Sequence, residues 1–288
     1  MSQKKLLKNE LNKFLEQHEL EEYSVNTLKQ YKTGVTKFID FIGNKKEITK
    51  RDMIRYKEHL DSISSSTGSK NNWIVIINKF VKFMNRPELV LKKYVTQKKY
   101  AIKELLTLTD YKRLLRYAKK MNLIQTYMVM MILTKTGIRV SELKYFTVEN
   151  LTRDNLVEGS LIIKNKGKER DISIRKDLIV DIRKYCRDNK IKSGTIFPSV
   201  KKPEQMTCVS TFWKQMQKIA GAARVKKSKV HAHSFRHLFA VIFLEQYPGN
   251  TPQLSDFLGH NNVESTRIYT QLTLTAKRKM LDDMNFNK

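Results

Sequence analysis

The sequence predicts a mainly α-helical protein of two domains, with a small β-sheet confined to the second. Three observations predict it. From Leu6 to Asn85 apolar residues recur at helical spacing. A lysine-rich stretch without a single acid, residues 92–103, then interrupts the pattern. Beyond it helical spacing returns, except between about 156 and 174, where apolar and polar residues alternate as they do in strands.

Each element has its own justification. In "SVNTLKQYKTGVTKFIDFI" Ser24 is a cap for a helix that puts Val25, Leu28, Tyr31, Val35, Phe38 and Ile42 on one face. "ITKRDMIRYKEHL" offers Thr49 with Asp52 three residues on, a capping-box variant, followed by Met53, Tyr56 and Leu60 as the apolar stripe. After the serine-rich loop "SISSSTGS", "NNWIVIINKFVKFMN" repeats the pattern through Trp73, Ile77, Phe80, Val81 and Met84 until Pro87 ends it. Residues 1–91 thus read as a helical module, 92–103 as a basic linker and 104–288 as a second domain. That domain opens on "LTDYKRLLRYAKK" with Thr109 as the expected cap, continues into the apolar helix "TYMVMMILTKTG" closed by Gly137, and resumes as helix from Ser141. "SLIIK" and "RDISI" read as two strands joined by the basic turn "NKGK", with Ile172 and Ile174 on one face. Helices follow at 177–188, at 207–222 and to the end of the chain.

Composition narrows the partner. The 288 residues hold 56 Lys+Arg against 28 Asp+Glu, a formal charge of +28, and both predicted domains share the excess. Such a surface attracts polyanions, and nucleic acid comes first among them. The longest apolar runs, "YMVMMIL" and "WIVII", are too short to span a bilayer, so a membrane partner is not expected. "MSQKKLLKNEL" has no apolar core behind its lysines and does not read as a secretory signal. Cys186 and Cys208 lack any CxxC spacing and suit a reducing cytoplasm.

Four stretches carry side chains fit for chemistry. "HAHSFRH" at 231–237 precedes an apolar run; with Ser234 as cap, Arg236 and His237 fall in the first turn and His233 just before it. Cations are disfavoured at a helix N-terminus unless an anion sits there as well, and phosphate is the usual guest. The His-x-His and His-x3-His spacings also suit a metal, but a guanidinium between the ligands repels a dication and no cysteine or carboxylate completes the shell, so no metal is expected. "TKTGIRVSEL" places Arg139 after the Gly137 helix stop, with Glu142 three residues on to orient it. "KNKGKER" puts lysines at a hairpin tip whose glycine permits close approach of a ligand. In "LSDFLGHNNVESTRIYTQ", behind a helix start at Thr251 and Pro252, Gly259 stops the helix and His260 and Tyr269 follow nine residues apart. Two arginines, a lysine, two histidines and a tyrosine form a set able to transfer a phosphoryl group covalently without a metal.

With these residues in order, the second domain resembles the catalytic domain of the tyrosine recombinases, the phage integrase, Xer and Cre group. "TGIRVSEL" is similar to the family's first arginine box, "HSFRH" to its His-x-x-Arg-His box and "LGHNNVESTRIYT" to the box that ends in the nucleophile. The first 100 residues resemble the family's helical core-binding domain, making the whole a two-domain clamp on double-stranded DNA. The resemblance implies Arg139 and Arg236 as the phosphate-binding arginines, Glu142 as a supporting acid and His237 as a supporting neighbour. It further implies Lys166 as the hairpin lysine, with Lys164 and Lys168 as alternatives, and His233, His260 and the nucleophile Tyr269 as the remaining members. The activity implied is site-specific cleavage and rejoining of DNA through a 3′-phosphotyrosyl intermediate, without cofactor. A type IB topoisomerase or a non-catalytic DNA-binding protein on the same scaffold are the alternatives. A homo-tetramer on two DNA sites, with exchange of a C-terminal helix containing Met280, Leu281 and Met284, is also implied.

Overall fold

A computed structural model describes residues 3–45, 47–64, 66–95, 105–152, 155–156, 159–165 and 168–259. The chain divides into two compact units, 1–98 and 99–288.

The first unit contains α1 (Gln3–Leu20), α2 (Val25–Ile42), α3 (Lys50–Ile63) and α4 (Thr67–Phe83). Ser24 caps α2 by accepting from the Thr27 N–H, and Thr49 and Asp52 form a reciprocal capping box at α3. Asp52 is buried, and its ion pair with Lys45, together with the Thr49 N–H, holds its carboxyl down at about 2. The core joins Phe14 of α1, Val35 and Phe38 of α2, Met53 of α3 and Ile77, Phe80 and Val81 of α4, all without measurable exposure. On α4 the buried stripe runs through Ile74 and Ile76, while Trp73 and Met84, expected inside, are only half-buried. Asn71 and Asn78 reach from α4 to exchange hydrogen bonds with the backbone of Tyr94 and Leu91. Lys57 and Lys70 lie over the Tyr94 ring. The start of the lysine-rich stretch is therefore held to this unit; residues 96–104 lie outside the described residues.

The second unit begins with α5 (Leu108–Lys120), capped not by Thr109 but by Thr107. The physical reason is reciprocity: Thr107 accepts from the Asp110 N–H while Asp110 accepts from the Thr107 N–H, a pairing open to Thr107 because an acid stands three residues later. α6 (Ile124–Thr136) is buried almost all round, as its continuous apolar sequence requires, and packs against α9 (Ala232–Gln246). Gly137 ends α6 at φ 65°; a Cβ there would fall 2.5 Å from the Phe239 ring of α9, so both conformation and packing demand glycine. A 3-10 helix follows at Val140–Tyr145, one residue ahead of the expected start. Strands β1 (Ser160–Asn165) and β2 (Lys168–Ser173) pair antiparallel from Ser160 opposite Ser173 to Asn165 opposite Lys168, with Leu161, Ile163 and Ile172 buried. α7 (Lys176–Asp188), α8 (Val209–Ala222) and α10 (Thr251–Leu258) complete the described α-helices. The mainly α fold with one small sheet is the predicted class. Among the described residues no helix is long and apolar enough to cross a membrane.

Candidate active site

The site is assembled around the C-terminal end of α10. A helix leaves its last carbonyls without intrahelical partners and carries a partial negative charge there, so cations settle on them. Three guanidiniums take three successive carbonyls. Arg170 Nη2 donates to Phe257 O at 2.8 Å, Arg236 Nη2 to Leu258 O at 2.6 Å and Arg139 Nη2 to Gly259 O at 2.9 Å. Gly259, in the left-handed conformation at φ 56°, ends the helix as predicted.

Arg236 is 1% exposed, the largest side chain so deeply buried. Its second arm donates to Gly137 O at 2.8 Å, which ties the end of α6 to the end of α10. Those two bonds orient the guanidinium without neutralising it. Arg139 differs in having nearly half of its side chain exposed. It stands immediately beyond the α6 stop, its backbone N–H donating to Glu142 Oε2 at 2.7 Å and its Nη1 lying 3.5 Å from Glu142 Oε1. Glu142 is buried, and its closest charge partner is Arg170, whose Nη1 donates to Oε1 at 2.9 Å. Among the described residues the three guanidiniums outnumber the Glu142 carboxylate, and the excess of positive charge suits a phosphate diester.

The histidine-rich stretch departs from expectation at its cap. Ser234 does not begin the helix; α9 starts at Ala232, and His231 is the residue in extended conformation ahead of it. The His231 ring nitrogen Nδ1 accepts from the Ser234 N–H at 3.2 Å, doing what a serine hydroxyl does elsewhere, while Ser234 Oγ lies 2.9 Å from His231 Nε2. The part His231 plays here is structural. His233 is consequently the second residue of α9, and Arg236 lies beyond the first turn. The ring of His237, one turn on from His233, stands 4.3 Å from it and nearly perpendicular. Desolvation foremost, then the charges of Arg236, His231 and Arg139, hold the His233 imidazolium below the ordinary histidine value. His231 is lowered too, by desolvation.

The structure thus brings together Arg139, Glu142, His233, Arg236 and His237. Lys166, His260 and Tyr269 lie outside the described residues, as do the side chains of Lys164 and Lys168. Arg170 is the member that motif reading passed over. Its signal was present in the alternation of β2, which puts Arg170 on the same face as Ile172, opposite Ile163; a charge on the buried face of a hairpin needs a partner.

Comparison with known proteins identifies the family. Residues 104–275 match the phage integrase family. The chain is 27% identical to the tyrosine recombinase XerA of Pyrococcus furiosus, covering 99% of this chain and 97% of that protein. It is 32% identical to XerD of Shewanella oneidensis over 49% of this chain and 47% of that one. The crystal structure of XerA recombinase superposes with a TM-score of 0.53 at 25% identity, covering 97% of this chain and 99% of that one. A lambda integrase dimer bound to a core site gives 0.71 at 14% identity, over 92% of this chain and 95% of that one, a likeness of fold alone. A family match across well over half the chain, joined to a relative aligned end to end, places this protein in the phage integrase family: it is a tyrosine recombinase, a site-specific enzyme of DNA recombination.

Proposed function

We propose that Tyr269 attacks a DNA phosphodiester held by Arg139 and Arg236, giving a 3′-phosphotyrosyl link and a free 5′-hydroxyl. The observation that carries this reading is that the two guanidiniums donate to successive carbonyls, Gly259 O and Leu258 O. They are therefore side by side at the point from which the chain continues to His260 and Tyr269. As the phosphorus becomes five-coordinate, charge grows on its two non-bridging oxygens, and two planar, permanently charged forks answer it. The Tyr269 phenol, with an ordinary pKa of about 10, must give up its proton, and His233, held neutral, receives it. Lys166 at the hairpin tip protonates the departing 5′-oxygen, and His260 donates a hydrogen bond to the phosphate. Glu142 and His237 support Arg139 and His233. Attack of a second strand's 5′-hydroxyl on the phosphotyrosine reverses the sequence and frees Tyr269, so the diester bond is conserved and neither nucleotide nor metal is required.

A nicked substrate that loses its 5′-fragment after cleavage tests the proposal: a covalent protein–DNA product accumulates, visible on a denaturing gel. A failure to trap it would overturn the reading. The acid limb supplies a second check. His233 acts only when neutral, so single-turnover cleavage falls as pH drops through its lowered pKa, below about 6.5. A limb centred above neutrality, or one that persists unchanged in His233→Gln, contradicts its role as base.

The same reading assigns a cytoplasmic setting and a homo-tetramer on two DNA sites, in which the segment with Met280, Leu281 and Met284 docks on a neighbouring subunit. Support for the tail's role is its amphipathic spacing beyond Tyr269. Deleting residues 276–288 is expected to leave binding to a single site intact and to abolish the paired-site complex in native gels; an undiminished paired complex removes the exchange.

A further inference from the structure

Arg170 is the last residue of the "KNKGKER" stretch and has no role assigned by it, yet it is where separate parts of the site touch. It stands on β2, two residues beyond Lys168, which closes the hairpin that carries Lys166. One arm of its guanidinium donates to Glu142 Oε1 at 2.9 Å and the other to Phe257 O at 2.8 Å. Glu142 passes the constraint on, since its other oxygen accepts the Arg139 N–H at 2.7 Å. The Arg170 side chain is 14% exposed and Glu142 5%, so water competes little for the bond between them. Gly259 closes the arrangement. A Cβ at that position would fall 2.5 Å from Arg170 Nη1 and 2.6 Å from Nε, so the missing side chain at 259 is the space that the guanidinium fills.

We propose that Arg170 is a positioning residue for strand cleavage, tying the lysine hairpin, the Arg139–Glu142 turn and the end of α10 into one fixed geometry. The proposal rests on the assignment of Arg139, Lys166 and Tyr269 given above. Its physical basis is the fork. A guanidinium offers donors in two directions and reaches a carboxylate and a backbone carbonyl at once, whereas an ammonium on a flexible stem is a point charge. The three parts it joins come from distant stretches of chain: β2, the turn after α6, and α10. The turn carries Arg139, β2 comes directly after the lysine turn assigned Lys166, and α10 directly precedes the segment assigned His260 and Tyr269. Without the tie each remains folded but can shift by fractions of an ångström, and in-line attack on phosphorus tolerates little of that. Merely satisfying the Glu142 charge would be a lesser role, one that lysine could fill.

Full-length Arg170→Lys, Arg170→Ala and Gly259→Ala proteins distinguish the two roles. Three quantities are measured: the dissociation constant for intact DNA, the single-turnover rate of covalent product at saturating DNA, and the thermal unfolding midpoint. Arg170→Lys is expected to bind DNA within about threefold of wild type while its cleavage rate falls by about ten- to a hundredfold, the scale of a misplaced reacting group. Gly259→Ala, which keeps the guanidinium and expels it from its seat, should lose rate to a similar extent, and guanidinium ion added to Arg170→Ala should restore part of it. Should Arg170→Ala not fold, the lysine and Gly259 variants decide the matter. An Arg170→Lys protein that cleaves at the wild-type rate, or whose loss follows only its DNA affinity or folded fraction, overturns the proposal. The wild-type control separates the two readings. A wild type that forms no covalent product overturns the Tyr269 assignment and this proposal together, whereas normal wild-type cleavage beside an equally fast Arg170→Lys overturns this proposal alone.

Discussion

Tyr269→Phe is expected to abolish the covalent protein–DNA product while leaving DNA affinity unchanged. One oxygen is lost, in the proposed reaction the atom that bonds to phosphorus, and the ring is kept. The loss is expected to be complete within detection, and four of the described tyrosines are poorly suited to take over. The chain has twelve tyrosines. Burial pushes the phenol of Tyr56 up to about 12, and desolvation, then Asp61, does the same for Tyr94. Tyr111 and Tyr185 are driven higher still by burial, so none of these four readily supplies a phenolate. The measurement is trapping on the nicked substrate followed by peptide mapping of the adduct. Covalent product formed at a wild-type rate by Tyr269→Phe would move the nucleophile to another residue.

Arg236→Lys is the second large effect, expected to slow single-turnover cleavage by at least about a hundredfold, the usual scale for losing one pre-oriented donor to a developing oxyanion. Charge is retained, so the loss reports geometry. Arg236 holds Gly137 O and Leu258 O with separate arms. An ammonium cannot span both and still face a phosphate. The buried carbonyl left behind also costs about 1–3 kcal/mol of stability, read as a lower unfolding midpoint. Arg139→Lys makes a useful contrast: with its side chain nearly half exposed, it should lose rate with a smaller change in midpoint. Near-wild-type cleavage by Arg236→Lys at saturating DNA would exclude the proposed transition-state role.

Reading residues in order went far for elements whose determinants are local. Ser24, Thr49 with Asp52, Gly137 and Gly259 act within a few residues of themselves, and each is found doing what its spacing implies. Local pattern misled where two neighbours could play one part. Thr107 and Thr109 are both plausible caps, and the choice fell to the one with an acid three residues on. At 231–237 the serine looked like the cap, but a histidine ring nitrogen took that role, which moved His233 into the helix. Arg170 was overlooked for a different reason. Its partners are 28 and 87 residues away in the chain.

By itself the sequence determined the class of fold, the basic surface and the identity of the groups available to a phosphate, because periodicity, charge and side-chain chemistry are properties of short stretches. Only the tertiary structure decided how those groups meet. Arg139, Arg170 and Arg236 come from three separate elements, and what gathers them is the row of unpaired carbonyls at the end of α10. A helix terminus leaves that row to be satisfied from elsewhere in the fold, so which cations satisfy it is settled by packing across the chain rather than by spacing along it.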